Sequence, residues 1–166
     1  MRTSGTPSPL PTSIDRRLTV AAASRLSLQI QIDAAAGELP ADRRQLRRWA
    51  AAALERRGEL VLRLVGRSEG RALNRRFRDA DHATNVLTFD YETHPVVRAD
   101  IVVCLPVVRD EARRQRKPVR DHLAHLIVHG VLHAQGLDHL DDASAARMEA
   151  REIVILRRFG IADPYA

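Results

Sequence analysis

The chain has 166 residues, with 27 Lys and Arg against 21 Asp and Glu for a net charge of +6, 45% hydrophobic residues and one cysteine. That is the size and apolar content of a single folded domain, and it excludes wholesale disorder, collagen-like repeats and low-complexity classes. Cys104 alone can form neither an internal disulfide nor a CxxC zinc ribbon, so a reducing cytoplasm is the expected compartment, and no run reaches the roughly 18 apolar residues that span a bilayer, so no membrane partner is expected.

Residues 1–25 are rich in Ser, Thr and Pro without an apolar period and read as a flexible tail, leaving 26–166 as the domain. Leu28, Ile30 and Ile32 then alternate with Ser27, Gln29 and Gln31, the period of a half-buried strand. Pro40 and Asp42 open a helix expected to reach Arg57 and close on Gly58, with Leu46, Trp49, Ala50, Ala53 and Leu54 on its apolar face. Residues 60–65 form a second strand, and a helix capped by Ser68 runs to about Arg78. Residues 86–91 and 100–105 are two further strands, the latter almost continuously apolar and therefore central. Pro106 begins a short helix to Gln115, Asp121 begins another to about Gln135, and Ser144 caps a last one to Phe159. With no internal repeats, the expectation is an α+β or α/β domain of about four strands and five or six helices.

Charge is uneven along this order. Residues 42–78 carry 12 Arg against four acids, whereas 79–142 carry 11 acids against seven bases. An arginine block of this kind suits a polyanionic partner. The outward Arg43, Arg44, Arg47 and Arg48 are candidates for nonspecific phosphate contacts, a role that a plain solvated helix face explains equally well. Acidic residues of the last helix are expected to pair with Arg147, Arg151, Arg157 and Arg158 on its solvated face.

Five of the seven histidines fall between His122 and His139. On a helix, His122, His125, His129 and His133 share one narrow stripe of an otherwise apolar surface. His129 and His133, four residues apart, can reach one ion, and a tight turn at Gly136 allows His139 to supply a third nitrogen. Three imidazoles leave a fourth tetrahedral position open, the arrangement of a catalytic rather than a structural zinc site. A set built on His125 and His129 is the alternative, with His139 a turn further away. Otherwise His122 and His125 stand behind the ligands or touch substrate, and Asp138 either orients a ligand histidine or caps the turn. The H-x-x-x-H-x-x-G-x-x-H spacing coincides with that of metzincin peptidases, whose general base is a Glu directly after the first His; here that residue is Gly130, and the peptidase mechanism loses its base.

The stretch His129-Gly130-Val131-Leu132-His133-Ala134-Gln135-Gly136-Leu137-Asp138-His139 resembles the H-G-x-L-H-x-x-G-x-D-H signature of the YbeY family of bacterial endoribonucleases. Leu73-Asn74 followed by Arg78, then Thr84-Asn85-Val86-Leu87-Thr88-Phe89, resembles its L-N-x-x-x-R and T-N-V-L-S-F segment, and Asp100-Ile101 and the closing Asp163-Pro164-Tyr165 are similar to its later motifs. Thr88 in place of Ser and Ala99 in place of Gly are small departures. The resemblance implies a four-stranded mixed sheet packed with helices, with the metal beside a groove. It also implies a zinc-dependent, single-strand-preferring endoribonuclease that matures the 3′ end of small-subunit rRNA and serves ribosome quality control, in partnership with the small ribosomal subunit and its assembly factors. His129, His133 and His139 carry over as metal ligands and Arg78 as the catalytic or RNA-binding arginine. A phosphodiester gains from a Lewis acid and a guanidinium together, so the chemistry of the residues agrees. A ribosome-assembly RNA-binding factor with a structural metal is the competing class.

Overall fold

Two parallel crossovers and one hairpin account for the sheet. The computed structural model describes residues 25–166, so the expected tail lies outside the described residues apart from Arg25. Strands β1 (Leu26–Ile32), β2 (Gly58–Val65), β3 (Val86–Glu92) and β4 (Val97–Cys104) form a mixed sheet in the order β1-β2-β4-β3. β1 and β2 pair in parallel, as do β2 and β4, whereas β3 runs antiparallel to β4. The helices are α1 (Arg43–Ala53), α2 (Arg67–Arg78), α3 (Leu105–Gln115), α4 (Val119–Ala134) and α5 (Asp142–Arg157), with a short 3-10 turn at Ala34–Ala36. This is the expected single α+β domain.

Period-2 patterning decides which helix covers which face. In β4, Val97, Ala99, Ile101 and Val103 join the main core, where Leu46 and Trp49 of α1, Leu123 and Ile127 of α4, and Met148 and Leu156 of α5 meet. The alternate residues Val102 and Cys104 pack on the other face with Val65, Leu87 and Leu73 of α2. β4 is buried on both faces because it is central, as its continuous apolar run predicts. Cys104 is buried there, and desolvation pushes its thiol up from its ordinary range.

Several boundaries differ from the expectation for identifiable reasons. α1 ends at Ala53 and Gly58 begins β2, where it is buried beside Leu54. The orphan Ala53 carbonyl accepts from the Gln135 amide at 2.7 Å, so a tertiary contact rather than a glycine closes this helix. Gly66 takes the cap position expected for Ser68, and Asp141, whose carboxylate accepts from Ser144 N at 2.8 Å, caps α5 in place of Ser144.

Arg43 and Arg47 do not sit on a free basic face. Their guanidiniums donate to the Ile30 and Leu26 carbonyls at 3.2 and 2.6 Å, covering the edge strand β1 with side chains that are long enough to reach it. Arg44 stays exposed, and the Arg48 guanidinium lies 5.5 Å from the Phe159 ring centre. Other arginines of the block are tied to acids, Arg63 to Glu69, Arg67 to Asp110 and Arg71 to Asp81. The linear charge block is therefore not a single patch.

Candidate metal centre

α4 is apolar on nearly every side and packs against α1, α3, α5, β3 and β4, and its histidine stripe runs along the side where α3 and α5 supply polar partners. Successive rings follow the helix rise: His122 to His125 is 6.1 Å between centroids, His125 to His129 is 6.3 Å, and His129 to His133 is 6.2 Å. At the helix end Gly136 adopts φ +92°, its N–H donates to His133 O, and Leu137 N donates to Leu132 O, the paired bonds of a Schellman turn. The chain reverses there and returns His139 to within 5.7 Å of the His129 ring and 5.8 Å of the His133 ring.

The His129, His133 and His139 rings thus cluster with their centroids 5.7, 5.8 and 6.2 Å apart. His129 is held by α5: its Nδ1 lies 2.6 Å from Oε1 of Glu152, which leaves Nε2 as the nitrogen a metal could use.

Among the described residues, the group of possible ligands whose atoms all lie within 4.8 Å of one another is His125, His129 and Glu152. The spacings there are those of hydrogen bonds. His129 Nδ1 and His125 Nε2 lie 2.6 and 3.0 Å from the Glu152 oxygens, and the Tyr165 hydroxyl donates to the same carboxylate. Two ligands on one tetrahedral zinc stand about 3.3 Å apart, so an ion could enter only by breaking these bonds. His125 is thus turned toward Glu152 and Tyr165, and of the two sets left open by the sequence it is the one built on His125 and His129 whose ligand atoms lie within 4.8 Å of one another, with Glu152 rather than His139 as the third member.

Glu152 is 0% exposed. Burial alone would raise its carboxyl pKa, and the hydrogen bonds from His125, His129 and Tyr165 outweigh it and hold the value at about 2. The expectation that the acids of α5 pair with Arg147, Arg151, Arg157 and Arg158 is therefore corrected: Arg151 pairs with Glu55, outside the helix, Arg147 donates to Ser144, and Glu152 points inward because it shares the apolar stripe of Met148, Ile155 and Leu156. That position was the available signal. Asp138 makes a local turn bond, accepting from Leu140 N at 3.3 Å.

His122 is buried, with Nε2 2.7 Å from Glu111 Oε2, and Asn85 donates to both Glu111 oxygens at 3.1 and 3.3 Å. Desolvation lowers the His122 pKa, with Glu111 opposing the shift. These residues, with His125, His129 and Tyr165, line an open cleft of ≈ 640 Å³, which His129 joins to the cluster of His133 and His139.

Arg78 closes α2 at the free edge of β3. Asn85 O accepts from Cys104 N, so alternate β3 carbonyls, including that of Thr88, point away from β4. Arg78 Nη2 donates to Thr88 O at 3.1 Å, and its guanidinium lies 5.4 Å from the Phe89 ring centre. The side chain of Thr88 in turn faces Gly130, so β3 alone separates Arg78 from the ligand helix. A Cβ on Gly130 would lie 2.9 Å from Ile101 Cγ2 and 3.3 Å from Thr88 Oγ1. The position is glycine because the helix touches the sheet there, and no peptidase-type Glu could occupy it.

A family model described as Endoribonuclease YbeY matches residues 31–160. The endoribonuclease YbeY of Methylibium petroleiphilum is 54% identical over 142 residues, covering 86% of this chain and 94% of the relative. That of Bordetella parapertussis is 55% identical over 155 residues, covering 86% and 98%. The solution structure of TM1509 from Thermotoga maritima aligns with a TM-score of 0.57 at 24% identity, over 79% of this chain and 87% of that one, a likeness of fold.

Proposed function

The chain belongs to the endoribonuclease YbeY family, and from that premise we propose that it is a zinc-dependent, single-strand-preferring endoribonuclease. Its substrate is the 3′ end of small-subunit rRNA, matured and checked in the cytoplasm together with the small ribosomal subunit and its assembly factors. The observation that carries the reading is a cluster of three imidazoles, one of them lining an open cleft, with a guanidinium across one strand.

When bound, a zinc ion supplies Lewis acidity and lowers the pKa of a coordinated water. The rest falls to the chain. Glu152 takes the Nδ1 proton of His129 as a hydrogen bond and fixes the ring on its site. His133 is held by the helix and His139 by the turn at Gly136. Arg78 spends N–H groups on the Phe77 and Thr88 carbonyls, which fix its plane, and retains others of its five for a nonbridging phosphate oxygen. A preset guanidinium stabilises the charge that grows on the phosphate during displacement without reorganising.

The test is metal analysis of freshly purified protein together with cleavage of an end-labelled single-stranded RNA. About one zinc per chain is expected, with both metal and cleavage lost in His133→Ala. Full cleavage by metal-stripped protein overturns the proposal.

A further inference from the structure

The cleft beside the triad contains a carboxylate that the reaction does not use. Glu111 is tied to Asn85 and His122, both uncharged donors as the hydrogen bonds are drawn, and among the described residues no arginine or lysine pairs with it. A carboxylate offers about four lone-pair sites. Asn85 and His122 do not fill them, and the Glu111 side chain keeps 20% exposure. Lys117, the one cation lining the cleft, donates to the Pro164 carbonyl. Glu111 is therefore an oriented acceptor, held by two partners and open to a third.

The surroundings say what the third partner is. A carboxylate repels a phosphodiester, so the RNA backbone is excluded from this end of the cleft and belongs at the triad and Arg78. From His129 the stripe reaches His122 in two ring spacings of 6.3 and 6.1 Å, and Glu111 lies one hydrogen bond beyond, more than one nucleotide step from His129. Tyr165 is 46% exposed at the cleft wall and offers an aromatic face of the kind on which bases stack. Gln115, one turn after Glu111 on α3, adds an exposed amide. The volume of ≈ 640 Å³ falls in the range of about 300–1,000 Å³ usual for small-molecule sites.

We propose that this cleft is a ribonucleoside subsite, in which Glu111 accepts a hydrogen bond from an uncharged donor of a nucleoside one or two places along the strand from the scissile phosphate, either its ribose 2′-hydroxyl or a base N–H. The inference rests on the endoribonuclease reading for the position of the phosphate. It does not require the metal, and its test is run without one.

The experiment measures fluorescence anisotropy of the full-length protein in chelator with four labelled single strands: an RNA decamer with one central guanosine, the same strand with inosine, the same with uridine, and the all-deoxy guanosine strand. Loss of a hydrogen bond to a charged acceptor costs about tenfold in affinity. The deoxy strand binding about tenfold more weakly identifies the 2′-hydroxyl as donor; the inosine and uridine strands doing so identify the base edge. Glu111→Gln, which keeps an acceptor for Asn85 and His122, is expected to weaken the guanosine RNA about tenfold. A purely structural Glu111 predicts the opposite sign, because removing a negative charge from an RNA site tightens phosphate binding. Equal binding of all four strands by the unaltered protein, or unchanged or tighter RNA binding by Glu111→Gln, overturns the proposal. Selective binding without cleavage upholds the subsite and sinks the catalytic reading instead.

Discussion

Glu152 and His129 sit 2.6 Å apart across the packed faces of α5 and α4, a carboxylate with no exposed surface against the ring nitrogen that does not face the triad. The pair couples the last helix to the candidate metal centre through one hydrogen bond.

Glu152→Gln should therefore act on metal affinity without touching a ligand. The amide cannot both accept from His129 and accept from His125 and Tyr165 as the carboxylate does. A loss of 10- to 100-fold in zinc affinity is expected, the range for partners behind a metal-bound histidine. Chelator competition measures it, and an unchanged affinity refutes the orienting role.

Arg78→Lys keeps the charge and removes the planar fork held by Thr88 O. Cleavage should fall at least tenfold while the melting temperature moves little, because the lost contacts lie at an exposed edge. If lysine supports full cleavage, the fork is not what the reaction uses.

Gly130→Glu tests the close approach of α4 to the sheet. A side chain there must displace Ile101 and Thr88 and bury a carboxylate, at a cost of about 3 kcal/mol or more in denaturant unfolding. No chelator-sensitive peptidase activity should appear. A stable variant would show that the helix can lift off the sheet.

Arg47→Ala should lower stability by about 1 kcal/mol through loss of its bond to the Leu26 carbonyl, and should leave the salt dependence of RNA binding unchanged. A slope reduced by about 0.7 would instead restore Arg47 as a phosphate contact.

His122 links stability to pH. Its folded pKa is lowered by burial from 6.5, so below that pH the unfolded chain takes up a proton that the folded chain resists. This contribution is complete above pH 6.5 and is lost as the pH falls toward the folded value. Unfolding curves from about pH 8 to about pH 5 should show the decline, and His122→Asn should remove part of it. An identical decline in the variant would assign it to other groups.

The helices and strands were legible because their apolar periods are strong: Leu28, Ile30 and Ile32 in β1, and Leu46, Trp49, Ala50 and Ala53 in α1, lie on the faces their spacing predicts. Caps were less legible. Ser68 and Ser144 are good capping residues in isolation, but Gly66 and Asp141 occupy the positions where the backbone turns. The histidine triad could be seen because its three members lie within eleven residues of chain. Glu152 could not be paired with His129 from sequence, since 23 residues and a turn separate them and only packing brings them together. Arg43 and Arg47 read as solvated charges for the same reason: the carbonyls they cover belong to a strand whose edge position is fixed by sheet order.

The turn at Gly136 divides the triad into two rings borne by a rigid helix and one delivered by the reversal that follows. Metal capture by the proposed triad is in this way conditional on where α4 stops. A residue that resists φ +92° and lets the helix wind on would carry His139 away along the axis. The protein would then keep all three histidines and lose the chelate, so the interval from Gly136 to His139 behaves as a ruler whose length matters as much as the rings at its ends.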